Sequence, residues 1–328
     1  MKRSGEVRPI FRADEIAEQN YPKDDAVALP FLRLSWLASL PRDAVEILLV
    51  VVSGRSYFLP FGRRSLPFRV RMVSNPPFCA WTDIVADSGA ALSPEARVSV
   101  AHEVAKVAAQ SWPNAVVRLR LWRDFPSWLG FHWSGYGARA NVSYVLDDAA
   151  SAWGSVNSKL RNQIRKGAKS YECAPLLKSD LGDAVDLLLA HSVRKGFSYR
   201  LSRLEFLRFL ECNFAAGNLA VFGARPPAGS LAAVALLGVG HNCNFYVAGG
   251  CDPEAEKLQV MSSLVWSLVE YTGVQGKSFD FEGSMLSGVE KFVRSFGGNQ
   301  KVDTTIQMFP GAEKFQSAVK TVRRKVGI

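Results

Sequence analysis

The stretch FDFEGSMLSGVEKFVRSFGG, Phe279 to Gly298, sets the reading of the whole chain. Its first residues alternate, so on a strand Phe279 and Phe281 point to one side and Asp280 and Glu282 to the other. Two carboxylates on one short strand face are costly unless they are solvated or paired. A strand end that opens into a cleft supplies solvent. There Glu282, or Asp280 beside it, is placed to take a proton from an attacking amine. The plainer alternative pairs either acid with a basic helix or with Lys291. Ser284 either bonds a substrate or caps a turn. Ser287 to Glu290 have the S-x-x-E spacing of a capping box and open a short helix. Lys291 and Arg294 follow three residues apart on that helix. A cation at such a site stabilises an acyl oxyanion.

Upstream, the order of elements is regular. Val156 to Ser170 reads as a helix, Tyr171 to Leu177 as a strand, and Leu181 to Val193 and Arg203 to Ala215 as helices. Leu219 to Ala224, Leu231 to Val239 and Asn244 to Ala248 read as an antiparallel meander, with turns at Pro226 to Gly229 and at Gly240 to Asn242. A long helix is expected from about Glu254 to Tyr271. Thr304 to Met308 is a last strand, and Glu313 to Val326 an amphipathic basic helix. Tyr246, on the strand before the long helix, is either a proton donor or part of a cleft wall.

The helix KLRNQIRKGAKS, Lys159 to Ser170, carries five positive charges and no acid up to Lys169. Leu160, Ile164 and Ala168 make its apolar stripe. Arg161 and Arg165 share the next face, with Lys166 and Lys169 flanking it. Arginine forks suit phosphate, so an anion that neutralises this face is expected. A solvated basic face is the alternative.

The first half mixes strands with one helix. Glu46 to Ser53 and Tyr57 to Leu59 form a hairpin around Ser53-Gly54-Arg55. Phe68 to Val73 and Ala115 to Trp122 alternate like half-exposed strands, and Pro94 to Ala109 is a helix capped by Ser93. The aromatic run from Trp122 to Tyr136 is expected as a packed loop, either an aromatic plug or a platform for a sugar or acyl group.

The composition narrows the partners. The chain has 328 residues, is 48% hydrophobic and carries a net charge of +10. That apolar content excludes a disordered chain, and the length suggests two domains. The five scattered cysteines and four dispersed histidines argue against a disulfide framework or a metal site. No secretory signal or membrane span is evident, so a cytoplasmic protein is expected. The basic excess asks for an anionic partner.

The element order and two stretches, KLRNQIRKGAKS and FDFEGSMLSGVEKFVRSFGG, together with PFLRLSWLASL (Pro30 to Leu40), resemble the FemAB-like group of GNAT-fold acyltransferases. The likeness runs from about residue 28 to residue 310. It implies an α/β (α+β) fold of two tandem GNAT-like domains, with mixed, mostly antiparallel sheets flanked by helices. Residues 1–150 would be a degenerate N-terminal GNAT-like domain. Residues 151–328 would be the acyltransferase domain, ending in the basic helix. The implied activity moves an acyl or aminoacyl group to an amine of a phosphorylated or saccharide-linked acceptor. Glu282, Asp280, Lys291, Arg294 and Tyr246 would serve catalysis, and Arg161, Asn162, Arg165, Lys166 and Ser284 would bind substrate. In FemABX enzymes a lysine commonly follows the phenylalanine that corresponds to Phe292; here Val293 stands there.

The donor is open between acyl-CoA and aminoacyl-tRNA, and no tightly bound cofactor is expected. CoA-using GNAT enzymes have a glycine-rich loop before the long helix. The matching CDPEAEKLQV (Cys251 to Val260) has no glycine and three acids, which argues against CoA. The alternatives are a CoA- or carrier-protein-dependent enzyme of exopolysaccharide or small-molecule biosynthesis, or a non-enzymatic basic scaffold for RNA or an anionic membrane. Peripheral membrane contact fits either.

Overall fold

A computed structural model describes residues 10–16, 20–65, 70–87, 93–283 and 285–309. Its strands are β1 (Ile10–Arg12), β2 (Val45–Val52), β3 (Arg55–Ser65), β4 (Arg71–Ser74), β5 (Val85–Ala86), β6 (Val116–Leu121), β7 (Gly137–Leu146), β8 (Glu172–Pro175), β9 (Leu219–Arg225), β10 (Ala233–Val239), β11 (Cys243–Cys251), β12 (Ser278–Asp280) and β13 (Asn299–Met308). The helices are α1 (Leu34–Ser39), α2 (Pro94–Ser111), α3 (Leu129–Trp133), α4 (Ser158–Ser170), α5 (Leu181–Arg194), α6 (Arg203–Ala215), α7 (Pro253–Lys257), α8 (Val260–Val274) and α9 (Ser287–Arg294).

The strands join into one sheet, in the order β1-β2-β3-β4-β6-β13-β7-β12-β11-β10-β9-β8, with β5 beside β3. Among the strands of the described residues, β4–β6 and β11–β12 pair in parallel and the rest antiparallel. The mixed, mostly antiparallel fold class stands, with its strands joined in a single sheet. Alternation along the strands supplies both faces. Val45, Ile47 and Leu49 of β2 and Val234 and Leu236 of β10 pack under α1, α5 and α6. Leu48 and Val50 turn the other way, toward α2 and α3. Ala233, Ala235 and Leu237 also turn that way, toward α4 and α8.

Local rules explain many boundaries. Ser53 and Gly54 both have positive φ, as a two-residue hairpin turn needs. Ser93 accepts from Ala96 N at the start of α2, and Ser202 and Glu205 cap α6 reciprocally. Gly167 lets α4 lie against α8, where a Cβ would overlap Ser263 Oγ.

Four local expectations change. The ten-residue β7 lies where no strand was read, although Asn141 to Leu146 alternates; its partners are the distant β12 and β13. The long helix after β11 is broken: Gln259 takes a left-handed conformation (φ 58°) and separates α7 from α8. The aromatic run contains α3, with Phe131 fully buried. Ser287 is not a cap either, because the N-cap position of α9 falls on Leu286 and Glu290 turns to Tyr144 and Arg294. The expected C-terminal helix, Glu313 to Val326, and Ser284 lie outside the described residues.

Candidate active site

Strands β11 and β12 pair only from Cys243–Ser278 to Phe245–Asp280 and then part. β11 stays on β10 as far as Cys251. The chain after Asp280 turns away through two left-handed residues, Glu282 (φ 57°) and Gly283 (φ 63°). Glu282 and Tyr246 stand where the strands diverge.

Glu282 is held by its backbone. Its N–H donates to Asp280 Oδ1 at 2.8 Å, and its carbonyl accepts from Arg120 Nη1 at 3.0 Å. Its side-chain Oε1 is buried with no hydrogen-bond partner among the described residues. Burial pushes this carboxyl up from 4.5 to about 8, against the opposing pull of Arg120. A carboxyl that titrates near neutrality is suited to exchange a proton.

Asp280 differs from it. It is fully buried, and its carboxylate meets the Arg123 guanidinium, Ser143 Oγ and the Glu282 N–H. Its Oδ1 accepts from Ser143 and from the Glu282 N–H while Oδ2 meets Arg123, which makes it a support for Glu282. Arg123 lies over the Trp122 ring, 4.3 Å from its centroid.

A second buried network lies alongside. Arg120 pairs with Asp303 through Nε at 2.7 Å and Nη2 at 2.5 Å. Asp303 also accepts from Trp81 Nε1 and Asn141 Nδ2, each at 2.9 Å. Sequence reasoning missed all of these groups. Arg120 showed only as a polar residue in an alternating strand, and nothing local links it to Asp303.

On the α4–α8–α9 side lies a cavity of about 660 Å³. Lys159 and Gln163 of α4 form one wall, Lys291 and Arg294 of α9 another, and Met261 and Ser262 of α8 a third. Among the described residues the Lys159 and Lys291 ammonium groups have no ion-pair partner. Arg294 is paired with Glu290 at 2.8 Å. Helix α8 opens without a side-chain cap, and its positive dipole end adds to the basic field. Tyr246 stands behind the cavity: a Cβ on Gly249 would overlap its hydroxyl and sit 2.8 Å from the Met261 methyl that lines the wall. Burial raises the Tyr246 pKa, so its hydroxyl stays protonated at neutral pH.

The structure thus brings Lys291 and Arg294 together with Lys159, and Asp280 together with Glu282. It does not bring Arg165 to the same place. Arg165 lies 5.6 Å from the Trp153 ring centroid, in a separate groove with Trp266 and Glu270. Arg161 is half-buried, and Asn162 and Lys166 face outward.

The acids before α8 are also engaged. Asp252 caps α7 through Ala255 N at 2.7 Å. Glu256 pairs with Arg194 at 3.0 Å and with Lys195, and Glu254 with Lys257 at 3.5 Å. Glu254 and Glu256 are paired with cations and Asp252 is engaged as a cap, so the expected repulsion of a diphosphate is weaker than the bare sequence implies.

The C-terminal domain of a protein assigned as a lysylphosphatidylglycerol synthetase of Agrobacterium fabrum superimposes with a TM-score of 0.60 at 12% identity, over 95% of this chain and 97% of that one. The fold is FemAB-like. L-PGS from Bacillus licheniformis matches with a TM-score of 0.57 at 14% identity, over 96% and 95% of the two chains. FemX matches with a TM-score of 0.55 at 12% identity, over 79% of this chain and 87% of that one. No protein-family model matches the sequence, and no curated protein is significantly similar to it. At these identities the FemAB-like likeness concerns the fold.

Proposed function

We propose that the chain is an acyltransferase that moves an acyl or aminoacyl group onto an amine of a phosphorylated or saccharide-linked acceptor. The observation that carries this reading is the cavity between α4, α8 and α9, lined by Lys159 and Lys291, which among the described residues have no ion-pair partner. A phosphate group of the acceptor would neutralise them. The amine nitrogen attacks the acyl carbonyl carbon, and the bond from that carbon to the donor's oxygen or sulfur breaks. Glu282 takes the proton lost by the amine, and the Tyr246 hydroxyl supplies one to the departing atom. No covalent enzyme intermediate is needed. The names of its fold relatives support the class: a lysylphosphatidylglycerol synthetase, by its name, joins an amino acid to a phosphate-bearing molecule.

A second reading, with an acyl-CoA or carrier-protein thioester as donor, gains from the pairing of Glu254 and Glu256 with cations and from the uncapped start of α8. Thermal shift with acetyl-CoA, longer acyl-CoAs and charged tRNA separates the two, since a ligand of the native state raises the melting temperature. Stabilisation by CoA esters alone would sink the tRNA donor. No response to any donor, with nucleic-acid binding retained, would overturn transfer in favour of a basic scaffold. For the chemistry, Tyr246→Phe and Glu282→Gln should each slow transfer by roughly a hundredfold.

A further inference from the structure

We propose that the leading turn of α9 docks on an anionic lipid surface and presents the neighbouring cavity to it. Three large apolar side chains are exposed there: Met285 (53%), Leu286 (70%) and Val289 (45%). A fourth, Val302 (60%), joins them from the sheet. Val302 is paired with Val142, and directly paired residues share a face. The Val142 carbonyl abuts Gly283, just ahead of α9. Val142 packs in the same cluster as Val293 of α9, while Asp303 points to the opposite face with Trp81. The four side chains therefore gather around the start of one helix.

The basic elements lie next to them. Gly288 and Lys291 of α9 line the cavity, and Lys159 closes it from α4. Lys159, Asn162, Lys166 and Lys169 recur at helical spacing and are all exposed, so the outer face of α4 continues the positive charge.

The chemistry selects lipid over protein. Protein interfaces favour Trp, Tyr and Arg anchors and are depleted in Lys. Here the apolar groups are aliphatic and the neighbouring cations without an ion-pair partner among the described residues are lysines. Aliphatic side chains next to lysines are what an interfacial helix offers to acyl chains and anionic headgroups. No helix among the described residues is long and apolar enough to cross a membrane, so the contact would be peripheral. The net charge of +10 acts in the same direction.

Co-sedimentation with vesicles tests this directly. The full chain should bind vesicles of equal parts phosphatidylcholine and phosphatidylglycerol roughly tenfold more tightly than phosphatidylcholine alone. Met285→Ser combined with Val289→Ser should weaken that binding about tenfold. Both positions are exposed, so circular dichroism and melting temperature should stay as in the wild type. Equal binding to both vesicle types, no binding, or an unaffected double variant would each overturn the proposal. So would a dimer of the wild type that the double variant loses, which would assign the patch to a second copy. Vesicle binding requires neither donor nor turnover, so failure of the transfer assays leaves it standing.

Discussion

Arg120 Nε donates to Asp303 Oδ1 at 2.7 Å, joining neighbouring strands whose residues are 183 positions apart. Asp303 is almost wholly buried and also receives Trp81 and Asn141. Removing one member of a buried pair leaves the other charge uncompensated. Asp303→Ala should therefore cost about 3–5 kcal/mol in denaturant unfolding. A cost near that of an exposed substitution would show that water enters the site.

Glu282 gives a stability signature. Its carboxyl ionises near 4.5 when unfolded and at about 8 when folded. Between those values the folded state holds more protons than the unfolded one, so its contribution falls as pH rises. Glu282→Gln should remove that part of the decline, and the variant should gain on the wild type through pH 8. Asp83, which burial raises to about 7, stays in both proteins and cancels in the comparison. Parallel melting curves from pH 5 to 9 would contradict the buried, unpaired carboxyl.

Gly283 is the backbone counterpart of Glu282. Its φ is 63°, and a Cβ would overlap the Val142 carbonyl. Gly283→Ala should cost about 2 kcal/mol or more, since the left-handed region alone costs 1–2 kcal/mol. Transfer should fall further than stability explains, because the turn that aims Glu282 shifts. Full activity with an unchanged melting temperature would refute this.

The cavity makes a binding prediction that needs no turnover. Inorganic pyrophosphate, measured by calorimetry, should bind roughly tenfold more weakly to Lys159→Ala or Lys291→Ala than to the wild type. Arg165→Ala, whose guanidinium lies by Trp153 in the other groove, should bind as the wild type does. The reverse pattern would return the phosphate site to the arginine face of α4.

How far the sequence could be read follows the range of the interactions. α6 begins and ends where its pattern says because Ser202 and Glu205 act within one turn. The meander β9–β10–β11 is likewise local. β7 escaped notice because its partners come from beyond residue 277. The break at Gln259 carries no glycine or proline to announce it. At the site, the pairing of acids with the Phe279–Phe281 strand was legible, but the different fates of Asp280 and Glu282 were not. Arg123 takes one and Arg120 steadies the backbone of the other; Arg120 comes from the distant β6 and Arg123 from the turn just after it.

β13 lies between β6 and β7, in the middle of the sheet. A ribosome releases residues 1–298 before that strand is complete. Until then β6 and β7 present two open edges to each other with nothing between them, and such edges invite mispairing. The strand that joins the sheet is thus synthesised after both of its neighbours, and the lag before it arrives is a window in which the two edges need protection from mispairing.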